Sequence, residues 1–161
     1  MLTFNKLYEG GQFAFENETI DLSKIPSHNV YKNCTFTRVI FKGTSTFLTW
    51  RDCKFIECDF SPDTGFTNSI FNNVEFRTCA LSPRLAAVEF FDCVFDKSKI
   101  SFYVSAESYL FNSDIFKAQE IFVEGARLYV GEHKARVGLG VKDRGYTLDD
   151  CEEAPQAREV F

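Results

Sequence analysis

The chain has little of several residue types, and each shortage excludes a class of protein. It holds one methionine, one tryptophan, two histidines and four prolines. It has no run of about 18 apolar residues, the length that a membrane-spanning helix needs. Its 18 lysines and arginines are outnumbered by 23 aspartates and glutamates, for a net charge of -5. Since nucleic-acid affinity comes mainly from Lys and Arg, we expect neither a membrane protein nor a direct nucleic-acid binder.

The N-terminal segment also lacks the features of a secretion signal. Residues 1–13 contain neither a basic region before an apolar run nor a small-residue cleavage site. We therefore expect a cytoplasmic protein whose six cysteines stay reduced. With 161 residues the chain is long enough for one domain with one core.

Phenylalanine is abundant, with 19 copies, and large apolar residues recur at a fixed period. The spacing within the main series alternates between 21 and 19 residues, and two further series stand five residues after it and five residues before it. A unit of five that closes at about twenty fits neither an α-helix nor a long pleated strand. It predicts a solenoid with four short sides per turn, each placing one large residue inside. The three series are Phe15, Phe36, Phe55, Phe76, Phe95 and Phe116; Ile20, Phe41, Phe60, Leu81, Ile100 and Ile121; and Tyr31, Trp50, Phe71, Phe90 and Phe111.

Five of the six cysteines stand two residues before a large inward residue, where small side chains would share the interior. Cysteine there acts as a small apolar filler. Zinc would need pairs spaced two to four residues apart and two further ligands, so we expect no metal site and no cofactor. The predicted core consists of Phe15, Phe36, Phe41, Phe55, Phe60, Phe76, Leu81, Phe95, Ile100, Phe116, Ile121, Trp50, Phe71, Cys34, Cys53, Cys58, Cys79 and Cys93.

The repeats resemble those of the pentapeptide-repeat proteins. The family unit is a small residue, Asp or Asn, Leu or Phe, a small polar residue and then any residue. Matching units here include CTFTR, CKFIE, CDFSP, VEFRT and CVFDK, in a divergent form rich in Phe and Cys that covers roughly residues 11 to 131. The resemblance implies an all-β fold, a right-handed quadrilateral parallel β-helix of about six coils. Residues 1–131 would form this β-helix with an N-terminal cap, and residues 132–161 a C-terminal cap, a dimerisation arm or a tail.

No catalytic constellation is evident in the sequence. His28 and His133 lie at opposite ends of the repeat region. Asp52 and Asp92 share a register, but Asn73 lies between them, which puts the two carboxylates about 9.6 Å apart. We therefore expect a protein that is not an enzyme.

Binding to another protein is the remaining function class. The first hypothesis is an adaptor, immunity or effector-type interaction module. The alternative comes from the resemblance: several family members imitate duplex DNA on type II topoisomerases such as DNA gyrase, and either inhibit or protect the enzyme. A homodimer through the C-terminal segment is also open. The acids predicted to face a partner are Asp52, Glu57, Asp59, Asp63, Glu75, Asp92 and Asp96.

Overall fold

A computed structural model describes residues 13–115, 117–125, 128–131, 137–139, 146–147 and 152–153. Within these residues the chain winds through about six turns of a parallel β-solenoid, with strands numbered β1 to β23 in chain order. The first turn contributes one short strand to each of three faces, and the second to fourth turns contribute one to each of four faces, named here in the order in which the chain visits them. The predicted fold class is confirmed.

The first and fourth faces are each separate sheets. The fourth-face sheet is continued beyond the last turn by two strands that pair antiparallel, β21 (Val137–Leu139) and β23 (Glu152–Glu153). The first face consists of β1 (Phe13–Glu16), β4 (Cys34–Thr37), β8 (Lys54–Ile56), β12 (Glu75–Arg77) and β16 (Val94–Asp96). The fourth face consists of β3 (Val30–Lys32), β7 (Thr49–Arg51), β11 (Ile70–Asn72), β15 (Glu89–Phe91), β18 (Ser108–Phe111) and β20 (Leu128–Gly131).

The second and third faces are joined into one ten-stranded sheet, because β17 (Lys99–Ala106) runs through both without a corner. In earlier turns the corner between these faces varies, and in the first turn it holds a short 3-10 helix, Leu22–Lys24. The second face consists of β2 (Thr19–Asp21), β5 (Ile40–Lys42), β9 (Asp59–Phe60) and β13 (Ala80–Leu81), and the third of β6 (Thr44–Thr46), β10 (Gly65–Thr67) and β14 (Arg84–Ala86). Beyond β17 the sheet continues with β19 (Glu120–Gly125) and β22 (Tyr146–Thr147).

Stacked aromatic rings fill the bore. On the first face Phe15, Phe36, Phe55, Phe76 and Phe95 form a continuous column, with successive ring centroids 4.9 to 5.1 Å apart and nearly parallel planes. In-register parallel pairing places each ring directly over the one in the preceding turn. Every predicted core residue that the structure describes is buried, with at most 7% of its surface exposed.

At three of the four corners, all but the one between the second and third faces, single residues in the left-handed backbone conformation turn the chain. Fourteen non-glycine residues have a φ between 48° and 70°. Such a conformation costs most residues about 1 to 2 kcal/mol, and Asn and Asp tolerate it best. The fourth–first corner follows this rule completely, since it holds Asn33, Asp52, Asn73, Asp92 and Asn112. The first–second corner does not, because the β-branched Thr78 occupies it with a φ of 54°.

The predicted register is wrong by one residue in the last turns. On the fourth face Leu110, not Phe111, pairs with Phe90 and is buried, while Phe111 points outward beside Phe91. On the first face the bridge between Val94 and Asp114 puts the buried Ile115 in the position predicted for Phe116, which lies outside the described residues. The cause is a register shift between β14 and β17, where Leu85 pairs with Val104 but Ala86 pairs with Ala106.

Only parts of the predicted terminal segments are described. Residues 1–12, predicted as an N-terminal cap, lie outside the described residues. Of residues 132–161, the strands β21, β22 and β23 pair antiparallel with the last turn or with each other. Whether this segment is a cap, an arm or a tail stays a prediction.

The aromatic column can be tested at its centre. Phe55 lies between the rings of Phe36 and Phe76, at 4.9 and 5.1 Å, and is fully buried. We expect Phe55→Ala to lower the free energy of unfolding by about 3 to 5 kcal/mol, since it removes a buried ring and leaves a cavity. Ile40→Ala on the exposed second face, where Ile40 is 50% exposed, is the control and should change it by less than about 1 kcal/mol. Urea denaturation followed by circular dichroism measures both, and equal losses would contradict the column's role.

The corner strain gives a second prediction. Thr78→Asn should raise the free energy of unfolding by about 1 kcal/mol, because Asn adopts the left-handed conformation more readily than a β-branched residue. Thr49→Asn, in an extended strand of the fourth face, is the matched control and should not stabilise the protein. A loss of stability in Thr78→Asn, measured by urea denaturation, would show that the corner is not strained.

Candidate partner-binding surface

Two of the predicted partner-binding acids, Asp52 and Asp92, are built into the fourth–first corner. Aspartate and asparagine alternate along this corner from turn to turn. The side-chain amide of Asn73 donates to Asp52 Oδ1 at 2.7 Å, and that of Asn112 donates to Asp92 Oδ1 at 2.6 Å. The alternation puts the like charges two turns apart, with an asparagine between them. These aspartates therefore form the corner and still present negative charge at the surface.

Glu57 lies on a different edge, the first–second corner, with a φ of 53°. Its carboxylate lies 3.8 Å from the guanidinium of Arg38, which also donates to Asn17 Oδ1 at 3.0 Å. Both members of the ion pair are about half exposed, so the pair contributes little to stability. Its charge is nonetheless balanced locally, which makes Glu57 a weak source of negative potential.

Asp59 and Asp63 are also separate from the other acids. Asp59 points outward on the second face, between Ile40 and Ala80 in the neighbouring strands. Asp63 lies in the turn between the second and third faces, where its carboxylate accepts a hydrogen bond from the Ser61 hydroxyl. The seven predicted acids therefore do not share one face.

The other four acids come together in a shallow groove on the first face, beside the fourth–first corner. We call this the acidic groove; its volume is about 410 Å³. Four carboxylates face two ammonium groups there, a balance of two negative charges. The groove is lined by Asp52, Glu75, Asp92 and Asp96, by Lys54 and Lys117, and by Cys53, Asn73, Val74 and Val94.

Strand register fixes the charges in the acidic groove. Glu75 pairs across the sheet with Lys54 and accepts two hydrogen bonds from Arg77, at 2.6 and 2.9 Å. Arg77 in turn pairs with Asp96. Glu75 is thus partly neutralised, whereas Asp52, Asp92 and Asp96 supply most of the negative potential.

The described cysteines lie inside the solenoid, and of these only Cys53 also borders the acidic groove. Each thiol that the structure describes is at most 2% exposed and free of disulfides. Cys58, Cys79 and Cys93 donate to the carbonyls of Phe36, Phe55 and Phe71 in the preceding turns, at 3.2 to 3.3 Å. Within the described ranges, no group of three or more His, Cys, Asp or Glu side chains is arranged to hold a metal.

Outward aromatic residues were not anticipated. Phe91 and Phe111 stack on each other on the outside of the fourth face, with centroids 4.6 Å apart and planes at 6°. Phe47, Tyr103 and Phe122 are between 38% and 46% exposed. The signal for Phe91 was present in the sequence, because it directly follows the inward Phe90 and neighbouring residues of a strand face opposite sides.

Comparison with known proteins identifies the fold. No family model matches the sequence, and no curated protein matches it. A trypsin-treated variant of QnrB1, a plasmid-mediated fluoroquinolone resistance protein, is similar with a TM-score of 0.59 and 16% identity, over 66% of this chain and 55% of that chain. Full-length QnrB1 aligns with a TM-score of 0.51 and 11% identity, over 82% of this chain and 80% of its own. The chain thus has the four-sided β-solenoid fold of pentapeptide repeats.

In the part of the chain that the structure covers, no helix has the length and apolarity to span a bilayer.

The burial of the cysteines predicts that their thiols are unreactive in the folded protein. Burial raises the pKa of the Cys93 thiol to about 12, and a thiolate is the reactive form. The sixth cysteine, Cys151, lies outside the described residues and is replaced by serine for this test. In the Cys151→Ser variant we expect 5,5′-dithiobis(2-nitrobenzoic acid) to react with the remaining cysteines only after unfolding. Since the folded pKa is the higher one, the contribution of Cys93 to stability should fall as pH rises from about 9 to about 12. Rapid labelling of the native variant at pH 8 would contradict this burial.

Proposed function

We propose that the protein is a non-enzymatic, protein-binding solenoid that places its acidic groove against a basic, DNA-binding surface of a type II topoisomerase. The observation that carries the proposal is the convergence of Asp52, Glu75, Asp92 and Asp96 on one side of a rod with a continuous aromatic core. A basic surface that evolved for phosphates would be attracted to carboxylates held in such a pattern.

The geometry supports recognition without adjustment of the backbone. Strands in neighbouring turns lie about 4.8 Å apart, so Asp52 and Asp92, two turns apart, hold a fixed separation of about 9.6 Å. The amide hydrogen bonds from Asn73 and Asn112 orient both carboxylates before any partner arrives. Binding groups that are already ordered lose less conformational entropy on association.

The charge balance of the acidic groove sets the expected strength of the attraction. Lys54 and Lys117 leave two negative charges in excess, which is less than a coherent acidic face would offer. We therefore expect the groove to orient and select a partner rather than to dominate affinity, as is common for charges at the rim of an interface.

The solved structures add support of a limited kind. QnrB1 is a fluoroquinolone resistance protein, and protection of an enzyme from a drug is one of the activities that the family resemblance implies. The shared fold makes a related role reasonable to test, although one fold serves many functions and the site decides between them.

The test is binding to purified DNA gyrase, measured by biolayer interferometry as a function of salt. We expect binding to weaken as salt rises, because charges at an interface are screened. The double variant Glu75→Lys with Asp96→Lys should weaken binding about tenfold or more, since it turns the acidic groove basic. A supercoiling assay with and without a fluoroquinolone then tells inhibition from protection.

The matched control is Asp59→Lys. Asp59 is exposed on the second face and pairs with the uncharged Ile40 and Ala80, so its reversal should leave both folding and gyrase binding unchanged. Absence of gyrase binding by the wild-type protein, or equal losses in the control and the groove variant, would overturn the proposal.

A second candidate function is an adaptor that binds a different protein through apolar contacts. The observation in its favour is that Ile40, Phe47, Tyr103 and Phe122 are exposed and that none of them lines the acidic groove. Such binding would depend little on salt and would survive reversal of Glu75 and Asp96. The same salt series with a partner isolated from the source cells separates the two functions.

A further inference from the structure

The outer surface of the fourth face carries an unusual column of side chains. Strand pairing places Lys32, Arg51, Asn72, Phe91 and Phe111 directly above one another in successive turns. We call this the fourth-face column. Its first two members are basic, its third is a neutral amide and its fourth and fifth are aromatic; Gly131, which pairs with Phe111 in the sixth turn, adds no side chain.

The basic end of the column is unfavourable within one molecule. Like charges directly opposite each other on neighbouring strands destabilise a sheet, and Lys32 pairs with Arg51 in this way. Among the residues that the structure describes, neither forms an ion pair. Arg51 is exposed and Lys32 is half-buried, so both can be reached by a partner.

The aromatic end of the column offers a binding site for cations, whereas the two basic side chains form no ion pair among the described residues. Phe91 is half-buried on the outside of the solenoid, with its ring stacked on Phe111. A guanidinium placed over an aromatic ring is attracted by the ring's electrostatic quadrupole, and Arg is the most frequent cation in such pairs. The column therefore carries cations at one end and, at the other end, aromatic rings on which a cation can bind.

A twofold axis parallel to the strands turns this order into a self-complementary surface. Two copies laid face to face with their long axes antiparallel would keep each column opposite itself and reverse the order of the turns. With the axis at Asn72, Arg51 of each copy meets Phe91 of the other, and Lys32 meets the turn of Phe111. In the parallel arrangement the four basic groups would gather at one end, which charge repulsion disfavours.

The residues beside the column fit the same arrangement. Val30, Thr49, Ile70, Glu89 and Tyr109 form the neighbouring outward column. The same axis brings Ile70 against Ile70 of the second copy and Thr49 against Glu89, an apolar contact and a hydrogen-bonding pair. No like-charged pair arises in either column.

We propose that the fourth face is a homodimerisation surface on which two copies pack antiparallel, with Arg51 of one copy on Phe91 of the other. The five turns of the column, at about 4.8 Å each, span about 20 to 25 Å, and strands of three or four residues at about 3.3 Å per residue are about 10 to 13 Å wide. The footprint is thus roughly 200 to 300 Å², smaller than the standard interface of about 800 Å² per partner, so the dimer should be weak and depend on concentration. The proposal concerns a face other than the acidic groove and holds or fails independently of the topoisomerase proposal.

Sedimentation velocity over a wide range of protein concentration tests the proposal on the full-length chain. We expect the wild-type protein to shift from monomer to dimer as concentration rises. Arg51→Glu and Phe91→Arg should each weaken the dimer about tenfold or more, because each removes two cation–π contacts per dimer. Lys97→Glu, the same charge reversal on the first–second corner, is the control and should leave the dimer unchanged.

Mixing the two variants distinguishes contact between copies from loss of folding. In a heterodimer of Arg51→Glu with Phe91→Arg, one contact becomes a glutamate–arginine pair and the other is the native arginine on phenylalanine. We therefore expect the equimolar mixture to recover dimerisation that neither variant shows alone. Thermal unfolding by circular dichroism monitors the fold, and Phe91→Ala replaces Phe91→Arg if the latter unfolds. A monomer at every concentration, a dimer indifferent to both substitutions, or a mixture no better than its components would each overturn the proposal.

Discussion

Parallel, in-register pairing of successive turns is the constraint on which the rest of the molecule depends. It places every residue above the residue that holds the same position in the preceding turn. Inside the solenoid this repetition is favourable, because phenylalanine rings stack at about 5 Å with nearly parallel planes. Outside, the same repetition would stack like charges, so each outward column must alternate its charge or accept a cost. The sequence of each outward column is therefore directly informative about function.

The fourth–first corner shows how one set of residues meets two demands. A corner made by a single left-handed residue favours Asn and Asp, whose short polar side chains tolerate that conformation. Strict alternation of the two lets both aspartates of this corner, Asp52 and Asp92, accept a hydrogen bond from the asparagine of the next turn. Negative charge is thus fixed at intervals of two turns with no separate binding loop.

Phe47 departs from the preference of left-handed corners for Asn and Asp, since a bulky, 46% exposed ring occupies such a corner. Residues in such strained positions concentrate at functional sites.

The five-residue period was sufficient to predict the fold and the inward residues of the first four turns, because alternation and period are local properties of the chain. It failed where the chain offered two adjacent apolar residues, Leu110 or Phe111 and Ile115 or Phe116. A one-residue irregularity at β17 selects between them, and such an irregularity depends on pairing with the preceding turn rather than on sequence pattern. For a related reason, the sequence predicted which acids could lie on the surface but not which of them are neutralised. Register places Asp52, Asp92 and Asp96 on one side, whereas the neutralisation of Glu57 by Arg38 depends on side-chain conformations that no period encodes.

A rod of this kind presents a fixed pattern of side chains and cannot adapt its shape to a partner. In the first four turns its strands are two to four residues long, and three of its four corners are single residues. The remaining corner is a short turn or, in the first turn, the 3-10 helix Leu22–Lys24, so no long loop is available in those turns to close over a ligand. Specificity must then come from which side chains stand at fixed intervals along a face. The acidic groove and the fourth-face column lie on either side of one corner, with opposite chemistry: carboxylates on the first face, and cations followed by aromatic rings on the fourth. Because the interior is shared, any change that keeps the stacked core leaves both surfaces free to vary, which explains how one repeat fold can serve unrelated partners.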